Sequence, residues 1–81
     1  MEKSIYSKNY AIFLRHLRLA RKRAGLTQAE LAERLRESQS FVSKCERGER
    51  RIDLVETREF CRALNLDFIS FTRELDERLG H

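Results

Sequence analysis

The chain contains no proline and no tryptophan, and its 81 residues include only three glycines, Gly25, Gly48 and Gly80. Residues that interrupt helices are therefore scarce. Runs of β-branched residues are absent as well, whereas arginine, glutamate, leucine and alanine are abundant. This composition favours an all-α domain over one that contains a sheet.

Long apolar stretches are missing too, so the sequence predicts neither a signal peptide nor a membrane-spanning helix. The only two cysteines, Cys45 and Cys61, form no C-x-x-C pair. Both fall at apolar helical positions, which is typical of small buried side chains rather than of a disulfide or a metal site. We therefore expect a soluble, cytoplasmic protein in a reducing compartment.

Catalytic and metal-binding patterns are not recognisable. His16 and His81 lack the spacing of metal ligands, and the chain has no glycine-rich phosphate loop. Ser40 and Ser43 have no neighbouring histidine that would activate a hydroxyl. The sequence therefore predicts neither an enzyme nor a metal or cofactor site.

The length suits a single domain, here residues 1–81, whose modest core would gain from dimerisation. Lysine and arginine number 17 against 13 acidic residues, which gives a formal net charge of +4. The basic residues gather in two places, first at Arg15, Arg18, Arg21, Lys22 and Arg23, and then at Arg47, Arg50 and Arg51. Such clusters suit a polyanionic partner, although many basic helices are only solvated faces.

Two short helices joined by a tight turn are predicted over about residues 27–48. Thr27 and Glu30 form a capping box at the start of the first, and Ser38 can cap the second. The second helix directs three apolar residues, Phe41, Val42 and Cys45, to one side. Its other side carries polar residues that we expect to face outward, namely Gln39, Ser40, Ser43, Lys44 and Arg47.

Further helices flank this pair. Apolar residues at helical spacing predict a first helix over about residues 9–24, with Ile5 and Tyr6 placed to pack against its start. After the pair, Asp53 and Glu56 form another capping box at the start of a fourth helix. A fifth helix begins at Asp67, so we expect a compact bundle of about five helices.

The segments GLTQAELAERL and SQSFVSKCERGER resemble the Cro and phage-repressor class, or XRE type, of helix-turn-helix DNA-binding proteins. The resemblance covers roughly residues 13–66 and includes Arg18, Arg21, Gly25, Gln28, Leu31, Ala32, Gln39, Val42, Glu46 and Gly48. It implies a lambda-repressor-like fold. The turn departs from the family pattern of a glycine and then a branched apolar residue, because this chain has Arg36 and Glu37. Arg36 is therefore expected in a left-handed backbone conformation.

The resemblance also implies how the motif meets DNA. It assigns base contacts in the major groove to residues of the second helix of the motif, namely Gln39, Ser40, Ser43 and Lys44. Glutamine can pair with adenine through two hydrogen bonds, whereas lysine prefers N7 and O6 of guanine. The alternative is an ordinary solvated polar face.

Phosphate contacts are implied around the motif. Gln28 lies in the first turn of a helix, where an anion is favoured, and by resemblance it also orients Gln39. Further candidates for phosphate contact are Arg18, Arg47, Arg50 and Arg51. Finally, the resemblance implies a semi-buried ion pair between Arg21 and Glu46, residues that would otherwise be expected at the surface.

The functional hypothesis is a sequence-specific DNA-binding transcriptional regulator, most simply a repressor or autoregulator, whose partner is double-stranded DNA. A homodimer is expected through the fifth helix, over about residues 67–79, which is rich in apolar residues at Phe68, Ile69, Phe71, Leu75 and Leu79. The competing hypothesis is a protein-interaction module, such as the antitoxin of a toxin pair, in which DNA binding is secondary.

Overall fold

A computed structural model describes residues 7–80, and within this range the chain forms five helices and no strands. They are α1 (Lys8–Arg23), α2 (Gln28–Leu35), α3 (Gln39–Glu46), α4 (Leu54–Ala63) and α5 (Phe68–Leu79). The prediction of an all-α bundle is confirmed. Ile5, Tyr6 and His81 lie outside the described residues.

Polar caps define where each helix begins. The side chains of Ser7, Thr27, Ser38, Asp53 and Asp67 each accept a hydrogen bond from the backbone N–H three residues further on. Thr27 and Asp53 belong to complete capping boxes, so two otherwise unpaired donors are satisfied at each of these ends. The other four residues were expected at helix starts from the sequence. Ser7 was not, because the first helix was predicted over about residues 9–24 and it begins at Lys8.

The core lies where α1 packs against α3 and α5, and where α4 packs against α2 and α5. Its centre consists of fully buried side chains from four helices, namely Leu17, Leu31, Val42, Cys45, Phe60 and Cys61. The two cysteines are free thiols, and burial raises the pKa of Cys61 to about 11. They therefore act as small apolar core residues.

The contact between α1 and α5 includes a buried histidine that the apolar pattern of the sequence does not mark. His16 is 3% exposed, and its Nε2 lies 3.1 Å from the carbonyl oxygen of Phe71. The rings of His16 and Phe71 are tilted by 40° with their centroids 4.5 Å apart. Because a carbonyl oxygen can only accept, Nε2–H of His16 is the donor, and this buried polar group is satisfied. His16 thus joins α5 to α1.

Much of the apolar side of α5 is used within the domain. Phe71 is buried, and Phe68, Leu75 and Leu79 are half-buried. Ile69 remains 60% exposed, which leaves it as the most accessible apolar side chain of this helix among the described residues. The surface that α5 offers to a second subunit is therefore smaller than the sequence pattern suggests.

Candidate nucleic-acid interface

The turn between α2 and α3 fixes the relative orientation of these helices. Arg36 has φ 60° and ψ 40°, so it occupies the left-handed region in which glycine is favoured. The backbone N–H of Glu37 donates to the carbonyl of Ala32 at 2.9 Å, which closes the end of α2. Ser38 then caps α3 through a 3.1 Å bond to the N–H of Phe41. A tight helix-turn-helix results.

The two faces of α3 have different environments. Val42 and Cys45 are completely buried against the rest of the bundle. On the opposite side Gln39, Ser40 and Lys44 are exposed. Side chains of these three types offer amide, hydroxyl and ammonium groups, which can match the donor and acceptor pattern of base edges in a major groove.

The fourth residue of the predicted base-contacting set is more constrained. Ser43 is half-buried, and its hydroxyl accepts a hydrogen bond from Nη1 of Arg47. Arg47 also pairs with Glu49, with Nε 2.8 Å from Oε2. This pair lowers the pKa of Glu49, but both side chains are more than half exposed, so it contributes little to stability.

A buried polar network ties the motif to α1. Arg21 donates from Nε and Nη2 to the two carboxylate oxygens of Glu46, at 2.6 and 3.0 Å. Nη1 of Arg21 donates to the carbonyl of Leu26 at 2.8 Å. The side chains of Arg21 and Glu46 are only 9% and 4% exposed. This bidentate ion pair holds the C-terminal end of α3 against α1.

Gln28 belongs to the same network. Its Nε2 donates to Oε1 of Glu46 at 2.9 Å, so the first turn of α2 is bonded to the end of α3. Within residues 7–80, no hydrogen bond joins Gln28 to Gln39, although the resemblance implies that it orients that side chain. The hydrogen bond of the Gln28 side chain goes to Glu46, at the end of α3.

The two arginines after α3 have different surroundings. Arg50 pairs with both carboxylate oxygens of Glu56, at 2.7 and 3.1 Å, and lies over the ring of Phe41. The hydrogen bond from Arg50, followed by that from the backbone of Asp53, lowers the pKa of Glu56. Arg51 is exposed and lies over the ring of Tyr10. None of the ion pairs within residues 7–80 involves Arg51.

Arg18 lies on the exposed side of α1, beside a groove of about 610 Å³ between α1 and the end of α3. The groove is also lined by Arg15, Lys22 and Arg47. Nothing in the described chain neutralises Arg18 by an ion pair. The groove therefore brings basic residues of α1 together with Arg47, which follows α3.

Two features of this surface are not evident from the sequence. Tyr10 accepts a hydrogen bond from the backbone N–H of Ile52, which is 42 residues away. Leu54 and Val55, in the first turn of α4, are each 70% exposed directly after the segment that carries Arg51. No local pattern signals the bond between Tyr10 and Ile52, because it joins residues far apart in the sequence.

Groups able to bind a metal ion are not found in residues 7–80, because no cluster of three or more His, Cys, Asp or Glu side chains exists there. No helix in the same range is both long and apolar enough to span a membrane.

Comparison with known proteins identifies the fold. The family described as "Helix-turn-helix domain" matches residues 12–68. A solved structure, an XRE-family like protein from Pseudomonas syringae pv. tomato str. DC3000, is 42% identical, covers 100% of both chains and superposes with a TM-score of 0.84. The chain belongs to the XRE-type helix-turn-helix family. A search of curated proteins gave no match.

Membership of the XRE-type family explains the architecture of the described residues. The five-helix bundle holds a helix-turn-helix unit at one side, and this is the fold of a DNA-binding regulator. The family is a regulatory class rather than an enzyme class. In this XRE-type chain, α2 and α3 are the helices of the motif.

Proposed function

We propose that this XRE-type protein is a sequence-specific DNA-binding transcriptional regulator of the repressor or autoregulator kind, acting in the cytoplasm. One observation carries the proposal. The outer face of α3 exposes Gln39 and Ser40 in its first turn, while Val42 and Cys45 fix the helix from behind. A helix held in this way can enter a major groove without rearrangement of the core.

Base reading is assigned to α3. Gln39 has the amide needed for a bidentate contact with adenine, and Lys44, one turn later, suits guanine. Ser40 offers a hydroxyl that can donate or accept. Ser43 completes the set, but its bond to Arg47 has to be shared with DNA or broken. We therefore expect Gln39, Ser40 and Lys44 to discriminate bases more strongly than Ser43.

Phosphate binding is assigned to residues around α3. Arg18 and Arg51 are exposed cations without an ion pair in the described structure, so they are the strongest candidates. Arg47 and Arg50 are already paired with Glu49 and Glu56, and they would share their donors with phosphate. Gln28 can donate from its backbone N–H, in the first turn of α2, and from the second N–H of its side-chain amide.

Site selection from random duplex DNA tests this proposal. The purified protein is expected to enrich a short motif, and the enriched duplex should bind far more tightly than a scrambled duplex of the same length and salt concentration. Enrichment of no motif over many rounds, with equal affinity for all duplexes, would contradict sequence-specific binding.

We further propose a homodimer formed through α5. Ile69 on α5 and Leu66, which precedes α5, are 60% and 39% exposed. These two side chains would contribute apolar surface to such an interface. A dimer would read two half-sites about 34 Å apart. Sedimentation at tens of micromolar protein should give a dimer that Ile69→Asp dissociates. A monomeric wild-type protein would contradict the proposal, and a tight heteromeric partner that co-purifies would favour the antitoxin hypothesis instead.

A further inference from the structure

The segment that joins α3 to α4, residues 47–53, is held from both sides. We refer to it as the α3–α4 loop. Gly48 turns the chain with φ 81°, and the N–H groups of Glu49 and Arg50 both donate to the carbonyl of Lys44, at 2.9 and 3.2 Å. The loop therefore starts as a continuation of α3. Its second half is fixed by side chains that belong to other elements.

Tyr10, in the first turn of α1, makes two contacts with this loop. Its hydroxyl accepts a 3.0 Å hydrogen bond from the backbone N–H of Ile52. Its ring lies under the guanidinium of Arg51, with Cζ 4.5 Å from the ring centroid. The ring in turn packs on Phe13, with centroids 5.5 Å apart, so it is itself supported. Tyr10 thus fixes the backbone after Arg51 and supports the arginine side chain.

Adjacent arginines of the loop differ in what their charge is used for. The guanidinium of Arg50 is bonded to the carboxylate of Glu56 and to the carbonyl of Arg51. These bonds use three of its five N–H donors, and the carboxylate of Glu56 balances its charge. Within residues 7–80 the guanidinium of Arg51 has no ion pair and lies over the ring of Tyr10, and a guanidinium held over a ring keeps its N–H groups for other acceptors.

We propose that Tyr10 is a positioning residue for DNA binding, because it holds Arg51 in place as a phosphate ligand before DNA arrives. Arg50 serves the same loop as a positioning residue through Glu56 and Phe41. This inference rests on the proposed function, since it requires that the domain binds DNA. An arginine that is already ordered loses less rotamer freedom on binding than a free one. Tyr10 therefore strengthens binding without a contact to DNA of its own.

The experiment compares duplex affinity across a range of salt concentrations, by fluorescence anisotropy, for single and combined variants. Arg51→Ala should weaken binding equally on selected and scrambled duplexes and reduce the salt slope by about 0.9, the value for one phosphate. Tyr10→Leu should weaken binding by about 3- to 10-fold. In the Arg51→Ala background the same Tyr10→Leu change should have almost no further effect, because the group it positions is gone.

Two further variants separate positioning from general stability. Tyr10→Phe keeps the ring but removes the hydroxyl, so it should keep the salt slope and lose less affinity than Tyr10→Leu. Arg62→Ala removes an exposed charge at the opposite end of α4 and serves as the charge-matched control, with no loss of slope. Arg50→Ala should lower the melting temperature and reduce the slope less than Arg51→Ala does.

Additive losses for Tyr10→Leu and Arg51→Ala would overturn the inference, because a merely structural Tyr10 would weaken both backgrounds equally. A larger loss of slope from Arg50→Ala than from Arg51→Ala would overturn it too. In either case a wild-type protein that selects a DNA motif would leave the proposed function standing. A wild-type protein that binds no duplex would remove the proposed function and this inference together.

Discussion

Replacing one member of the Arg21–Glu46 pair is expected to destabilise the domain severely. Glu46→Ala leaves the guanidinium of Arg21 buried with only the carbonyl of Leu26 as partner, because both bonds to the carboxylate are lost. Removing one partner of a buried ion pair costs about 3–5 kcal/mol. A chain of this length has a total free energy of unfolding of about 4–12 kcal/mol. The variant should therefore lose between about a quarter and all of this free energy.

The double variant Arg21→Met/Glu46→Leu provides the decisive comparison. It removes both buried charges and replaces them with apolar side chains of similar size, which is often close to neutral for stability. We expect it to lose less free energy of unfolding than either single variant. Urea unfolding followed by far-UV circular dichroism measures all three proteins. Because the pair also holds α3 against α1, the single variants should bind DNA more weakly even under conditions where their helix content is unchanged.

A surface pair serves as the control. Arg47 and Glu49 are 54% and 55% exposed, so Glu49→Ala should cost less than about 1 kcal/mol. Single variants of Arg21 and Glu46 that also cost less than about 1 kcal/mol would show that the pair is effectively solvated. A double variant whose loss equals the sum of both single losses would refute the argument that a stranded charge dominates.

Two other predictions concern stability. The pKa values of Glu56 and Asp67 are lowered in the folded protein below their ordinary 4.5 and 3.8, chiefly by the hydrogen bond from Arg50 and by the backbone N–H of Ser70, respectively. The stability that these two carboxylates contribute is complete above their ordinary pKa values and is lost as the pH falls through the lower pKa values of the folded protein. The melting temperature should therefore fall below about pH 4. Glu56→Gln should flatten this fall, and an unchanged pH profile would contradict the assignment. Arg36→Gly should stabilise the domain by about 0.5–1 kcal/mol in urea unfolding, because glycine adopts the left-handed conformation without a Cβ penalty. The matched change Asn65→Gly, at φ 61°, should gain less because asparagine tolerates this region, and an equal or negative effect of Arg36→Gly would be contrary to the expected strain.

The parts of the fold that the sequence predicts well depend on local interactions. The caps at Thr27 and Asp53 are visible as short motifs, because the interacting residues are three positions apart. The left-handed conformation of Arg36 was instead expected from the family resemblance, because the family pattern has a glycine at this position of the turn. Burial of Val42 follows from helical periodicity.

Interactions between distant residues were not predictable in this way. The bond from Ile52 to Tyr10 and the burial of His16 against Phe71 depend on the docking of α1 on the loop and on α5. The ion pair of Arg50 with Glu56 shows the same limit on the functional surface. Charge alone groups Arg50 with Arg51, and only the folded geometry shows that one arginine has a carboxylate partner and the other does not.

The central claim of this account is that the exposed face of α3 reads base pairs. Its most direct test is the ratio of affinities for the selected and the scrambled duplex, measured for wild type and for Gln39→Ala at one salt concentration. The account predicts that this ratio falls by about 5- to 150-fold, corresponding to the loss of one base contact, while affinity for the scrambled duplex stays unchanged. An unchanged ratio, or an equal loss of affinity on both duplexes, would contradict it.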